Sequence, residues 1–249
     1  MHRFFLLVTP IVPGNTVDLS SISHQLTRVL RLISGDEILL LDNLNFEYAT
    51  EIVTLERHQA TGHVLSGQPV RSEPTHRLTL YQCSLKADKF EWVLQKGTEL
   101  GVSAFVPVIS ERSIVRPAEA LLKKYERWRT IIREAAEQSG RGCLPVLHDP
   151  QPFDGAIRRV EGVRYLPWEE TRGERGAIGL GAAVARQGSE MRRVNLLIGP
   201  EGGLTADEAE RALRARWQIV SLGPRILRAE TAALASITIT MEWLAELGS

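Results

Sequence analysis

Residues 194–203 read VNLLI followed by GPEGG, and residues 219–232 read IVSL followed by GPRILRAETA. In each, a short apolar run suited to a buried strand stops at Gly-Pro and passes into a turn. Gly202 and Gly203 carry no side chain, so bare backbone there can come close to a partner. Thr205-Ala-Asp-Glu208 spells a capping box, so a helix is expected to begin directly after the first turn. Ligands of open α/β sheets sit beyond the carboxyl ends of the strands. Two such ends close together in sequence mark a ligand site.

The surrounding chain fits that reading. Strands are expected at 78–83, 104–108, 163–167, 194–198 and 219–222, alternating with helices at 90–100, 118–139, 206–215 and 230–247. This order predicts a parallel α/β sheet. Residues 1 to about 70 differ: short strands at 4–8, 37–41, 48–55 and 61–65, one helix at 21–33, and turn signals between them suit a small β-barrel. SGQPVRSEP at 66–74 has linker composition, which divides the chain into domains 1–72 and 73–249.

Composition narrows the partners. The chain has 249 residues, 43% of them apolar, with 30 basic and 30 acidic side chains, so contact with nucleic acid must come from a local patch. Cys83 and Cys143 form no Cys-x-x-Cys and read as reduced thiols. No apolar run reaches membrane-spanning length, and FFLLV at 4–8 is short and followed by Pro10 and Pro13. A soluble cytoplasmic protein without metal or membrane partner is expected.

The second turn sets Arg225, Arg228, Glu230 and Thr231 within one loop running into a helix, a mixture for which a purely structural loop has little use. A phosphate-binding G-x-x-x-x-G-K-[ST] is absent. GLGAAV at 179–184 only approaches a dinucleotide fingerprint, and it follows the charged TRGER at 171–175 rather than a strand, so it reads as a helix entrance. Backbone flanked by Leu222, Ile226 and Leu227 suits an uncharged adenine held between apolar walls, as in S-adenosylmethionine.

Basic residues offer two candidate surfaces. On the helix at 21–33, Leu26, Val29, Leu30 and Ile33 face inward while His24, Arg28 and Arg31 recur at i, i+4 and i+7, either as a solvated face or as a phosphate grip that Arg3 would extend. Lys123, Lys124, Arg127, Arg129 and Arg133 fall all round their helix and read as solvated surface. Glu134, Gln138 and Arg141 share one edge, facing either a catalytic pocket or a helix cap.

Five ordered segments carry a family resemblance: HQLTRVLR at 24–31 with Gly35-Asp36, KGTELGV at 96–102, SERS at 110–113, REAAEQSGR at 133–141, and the paired turns. Together they resemble the RsmE family, the SPOUT-class methyltransferases that modify N3 of a uridine in 16S ribosomal RNA. The resemblance implies a PUA-like β-barrel followed by an α/β domain with a deep trefoil knot, its loops at 199–203 and 222–231 and a third wall near 167–170. It implies S-adenosylmethionine as cofactor, with expected contacts at Ile198, Gly199, Pro200, Gly202, Gly203, Leu222, Gly223, Ile226, Leu227, Thr231 and Ala232. RNA contacts are expected at Arg3, His24, Arg28, Arg31, Arg112 and Arg141. N3 attacks a methyl group directly, without the cysteine nucleophile that C5 needs. Arg228 is expected to stabilise the uridine anion, with Glu201 and Glu230 as general bases or as orienters of Arg228. The final helix carries apolar residues on two sides, Ala233, Leu234, Ile237, Met241, Leu244 and Ala245 on one and Ile239 and Trp243 on the other, which implies a homodimer. Two other readings stay open: a non-catalytic RNA-binding module of ribosome assembly, and a SPOUT methyltransferase acting on tRNA.

Overall fold

The computed structural model describes residues 1–7, 10–158, 160–171, 178–187 and 191–248. Val8, the far end of the strand expected at 4–8, and residues 172–175 of the charged stretch lie outside them. By its contacts the chain forms two units, one of residues 1–73 with 133–144, the other of residues 74–132 with 145–249.

The first unit is built on a five-stranded sheet of β1 (Arg3–Phe5), β2 (Thr16–Asp18), β3 (Glu37–Leu41), β4 (Phe46–Leu55) and β5 (Ala60–Pro69) in the order β1-β3-β4-β5-β2. The β1–β3 pair is parallel and the other pairs are antiparallel. Alternation along β3 explains the packing. Ile38 and Leu40 enter one core with Phe4, Leu26, Ile52 and Val64, while Leu41 enters another with Phe5, Val70 and Ala136.

Two sequence expectations need correction in this unit. The helix expected at 21–33 is a 3-10 turn at Ser20–Ile22 and a five-residue π-helical turn at Gln25–Val29. The chain winds wide there: Leu30 N–H donates to Gln25 O at 3.1 Å and Leu32 N–H to Leu26 O at 2.9 Å. Arg31 follows with φ +56°, so the spacing of His24, Arg28 and Arg31 is not that of one helix face. Arg141 is no surface contact: it is 3% exposed, with Nε and Nη2 donating to Glu73 at 2.9 and 2.6 Å.

The second unit alternates strands and helices: β6 (Arg77–Cys83), α1 (Ala87–Glu99), β7 (Ala104–Ile109), α2 (Ala118–Leu122), α3 (Tyr125–Ser139), β8 (Val146–Leu147), β9 (Gln151–Pro152), α4 (Phe153–Ala156), β10 (Val163–Pro167), α5 (Leu180–Ala185), β11 (Arg193–Ile198), α6 (Ala206–Arg214), β12 (Gln218–Val220) and α7 (Ala229–Trp243). Its strands pair in parallel in the order β12-β10-β11-β6-β7-β8, with β9 also on β7. Side chains alternate between two apolar layers. Val194, Leu196 and Ile198 of β11 pack with Phe90 and Val93 of α1 and Ala233, Ile237 and Met241 of α7, whereas Leu197 packs with Phe153 and Ala212 from α4 and α6.

The helix expected at 118–139 is interrupted, because Lys124 N–H closes a tight turn onto Leu121 O at 2.9 Å and α3 starts afresh at Tyr125. Of its basic run, Arg127 pairs with Glu91 and Arg129 with Glu126, as a solvated surface would. The second half of α3, from Arg133 on, counts with the first unit. The helix entrance at Gly179 and the capping box are both present: Glu208 N–H donates to Thr205 Oγ1 at 3.2 Å, and Thr205 N–H to Glu208 Oε2 at 3.0 Å.

Replacing Arg141 by alanine removes the only cation paired with the Glu73 carboxylate among the described residues and leaves it the Gly142 and Cys143 N–H groups. Arg141→Ala should therefore lower unfolding free energy by about 3–5 kcal/mol, read from denaturant titration.

Candidate functional site

Hydrogen-bond register brings three loops together. β10 pairs with β11 through Tyr165 and Leu196, and with β12 through Pro167 and Val220, so these neighbouring strands end side by side. The loops that leave them line two adjoining cavities. One, of about 410 Å3, is walled by Pro167, Trp168 and Glu169 and by Ser221 to Leu227 save Pro224. The other, of about 800 Å3, shares Pro167, Glu169, Ile226, Leu227 and Ala232 and adds Ile198, Gly199, Pro200, Glu201, Gly203, Lys89 and Arg228.

Most residues expected at a cofactor therefore meet here. Leu222 and Gly223 line the smaller cavity, Ile198, Gly199, Pro200 and Gly203 the larger, and Ile226, Leu227 and Ala232 both. Gly202 and Thr231 line neither. A Cβ on Gly202 would lie 3.3 Å from Cβ of Arg112, away from the cavities, and Thr231 is exposed. Gly203 is the constrained glycine: its φ is +69°, and a Cβ would run into the Glu169 carboxylate. Ile226 leaves 65% of its surface exposed where the cavities meet, an apolar wall with nothing against it.

The GPEGG turn is held from outside. Arg112 Nη1 donates to Gly202 O at 3.0 Å, and Lys86 N–H donates to Glu201 Oε1 at 3.1 Å. Arg112, expected at RNA, thus braces the turn while remaining exposed. His24, Arg28 and Arg31 are exposed too; Arg3 is half-buried, its Nε 3.8 Å from Glu47.

Lys89 escaped the sequence reading. Its ammonium lies 3.4 Å from Glu230 and 3.8 Å from Glu201, so the two expected bases flank Lys89 rather than Arg228. One oxygen of each carboxylate is buried without a partner. Arg228 is exposed and has no ion-pair partner among the described residues. The one sequence signal for Lys89 was position: α1 starts just beyond the carboxyl end of β6, where a site lysine would stand. Burial pushes the Cys83 thiol up to about 12, and burial likewise raises that of Cys143, so neither is poised as a thiolate nucleophile. Among the described residues no cluster of His, Cys, Asp and Glu could hold a metal, and no helix is long and apolar enough to cross a membrane.

This is the strand-end site of an α/β transferase, and a profile described as an RNA methyltransferase domain matches residues 71–241. The chain is 32% identical over 244 residues to ribosomal RNA small subunit methyltransferase E of Bacillus subtilis, covering 96% of this chain and 95% of that one. It is 36% identical over 245 residues to the protein of that name from Synechocystis, covering 97% and 78%. The chain belongs to the ribosomal RNA small subunit methyltransferase E family. Among solved structures it resembles the Neisseria gonorrhoeae family member bound to S-adenosyl methionine, with TM-score 0.85, 33% identity and 97% coverage of both chains. A methyltransferase from Legionella pneumophila, in complex with the same cofactor, matches with TM-score 0.83, 28% identity and 96% coverage of both.

Lys89→Met removes the cation between two partly buried carboxylates. Thermal or urea unfolding should show a loss of about 1 kcal/mol, smaller than for a fully buried pair because Lys89 remains in contact with water.

Proposed function

We propose that this chain transfers a methyl group from S-adenosylmethionine to N3 of a uridine in 16S ribosomal RNA. The observation that carries this reading is the pair of adjoining cavities at the strand ends. Their shared wall is apolar and water-exposed at Ile226, and their shared acid is Glu169. An adenine covers apolar surface of that kind, and a carboxylate suits a cationic sulfonium. Gly223, with φ +102° and no atom within 4 Å of a Cβ position, leaves backbone open to the ligand. Bound here, the cofactor supplies an electrophilic methyl group.

The protein's own groups orient the base and handle its proton. Arg228, without an internal counter-charge, opposes the negative charge that spreads onto O2 and O4 as N3 loses its proton. Glu201 and Glu230, kept in place by Lys89, each present a buried free oxygen, and one of the two accepts that proton. The polar set Arg228, Glu201 and Glu230 favours an enzyme over a non-catalytic assembly module.

On the same reading the first unit is the PUA-like RNA-binding barrel and the second the knotted SPOUT domain. The placing of β12 beyond β10, not beside β11, supports a chain that crosses the strand ends before α7. The working unit is a cytoplasmic homodimer that acts on the small ribosomal subunit. Trp243, 56% exposed at the end of α7, supports a partner on that helix.

Cells lacking the protein should yield 16S RNA without N3-methyluridine in nucleoside mass analysis, and an unchanged profile would sink the proposal. By calorimetry, Gly203→Ala should bind S-adenosylmethionine at least about tenfold more weakly, while Gly202→Ala, facing Arg112, should bind as the parent does. Trp243→Glu should sediment as a folded monomer without methyl transfer; an active monomeric parent would refute the dimer.

A further inference from the structure

The first unit holds a cavity of its own, about 870 Å3 and open to solvent, between the start of β1, the π-helical turn and the second half of α3. Its walls divide by chemistry. Phe4, Val29 and Leu30 give apolar surface, and Val29 leaves 64% of its area exposed. Arg3, Gln25 and Gln138 bring hydrogen-bond donors, and Glu134 and Glu137 bring carboxylates.

Glu137 is the fixed point. Its Oε1 accepts from Phe5 N–H at 2.9 Å, which anchors the side chain, and no group among the described residues pairs with its other oxygen. Burial raises this carboxyl, Phe5 N–H and Arg133 pull it back, and Glu134 raises it further. A carboxylate held in that state gains from a ligand that donates to both of its oxygens.

We propose that this cavity receives an unstacked guanine from a single-stranded stretch of the RNA, recognised through Glu137. The inference rests on the RNA-binding reading of the first unit and adds a base preference to it. Guanine alone among the four bases presents two adjacent donors, N1–H and the N2 amino group, on its pairing edge. Adenine and cytosine place an acceptor beside their amino group, and uracil flanks one N–H with two carbonyls, so each sets an acceptor against a carboxylate lone pair. Val29 offers a surface for the face of the base, while Gln25, Gln138 and Arg3 can serve O6 and N7. Arg28 and Arg31, exposed beside Val29, serve the neighbouring phosphates.

The test uses the full chain and short single-stranded RNAs identical except for one position, which carries guanosine, inosine or adenosine. Inosine lacks only the N2 amino group. Fluorescence anisotropy should show the guanosine RNA bound about tenfold more tightly than either of the others. Glu137→Gln keeps an acceptor for Phe5 N–H and replaces the other oxygen by a donor. It should erase that preference while leaving the salt dependence and the thermal melt of the parent.

Equal affinity for the three RNAs would overturn the proposal, as would a preference that survives in Glu137→Gln. Free GMP that competes as well as the guanosine RNA would assign the cavity to a mononucleotide and overturn it too. Salt-dependent binding without base preference leaves the RNA reading standing and removes the guanine. No salt-dependent binding of any RNA removes both.

Discussion

The pairing of β10 with two partners at once is the constraint on which the site depends. A parallel strand hydrogen-bonded on both sides fixes the register of its neighbours, and here it makes β11, β10 and β12 end together. Apolar side chains alternating into two layers hold that register, since a slip of one residue would turn Leu196 and Leu197 to the wrong helices. The loops carry little secondary structure of their own. Their placement is inherited from the strands that feed them.

Within that frame, charge is distributed unequally. Lys89 is compensated by two carboxylates and ties the first turn of α1 to the first turn of α7 and to the GPEGG turn. Arg228, at the N-cap of α7, is uncompensated. A cation that has spent its field on neighbours acts as a fastener; one that has not can answer charge arriving from outside. The two roles follow from partners, not from residue type.

Residues whose environment is local were legible in the sequence. Thr205 and Glu208 cap a helix by a four-residue rule, and the strand at 37–41 declares itself by its apolar run. What stayed hidden is long-range. Lys89 fell just before the helix expected at 90–100 and carried no local mark, because its partners lie more than a hundred positions away. Arg141 matched a polar edge, yet its meaning came from Glu73, 68 positions earlier. The helix at 21–33 failed for another reason: Leu26, Val29, Leu30 and Ile33 fit a helical period, but the chain widens into a π turn, and Arg31 adopts a positive φ.

The first unit is discontinuous along the chain, and that governs the order in which it can be completed. Its sheet ends with β5 at Pro69, but the residues that close it, Ala136 against Phe5 and Leu41, Glu137 on Phe5 N–H, and Arg141 on Glu73, belong to the segment 133–144. During synthesis the five strands emerge first and wait, with a carboxylate and an amide unpaired and an apolar face open, while β6, α1 and β7 are made. This unit therefore starts to form before the second but cannot be finished until the segment 133–144 has left the ribosome.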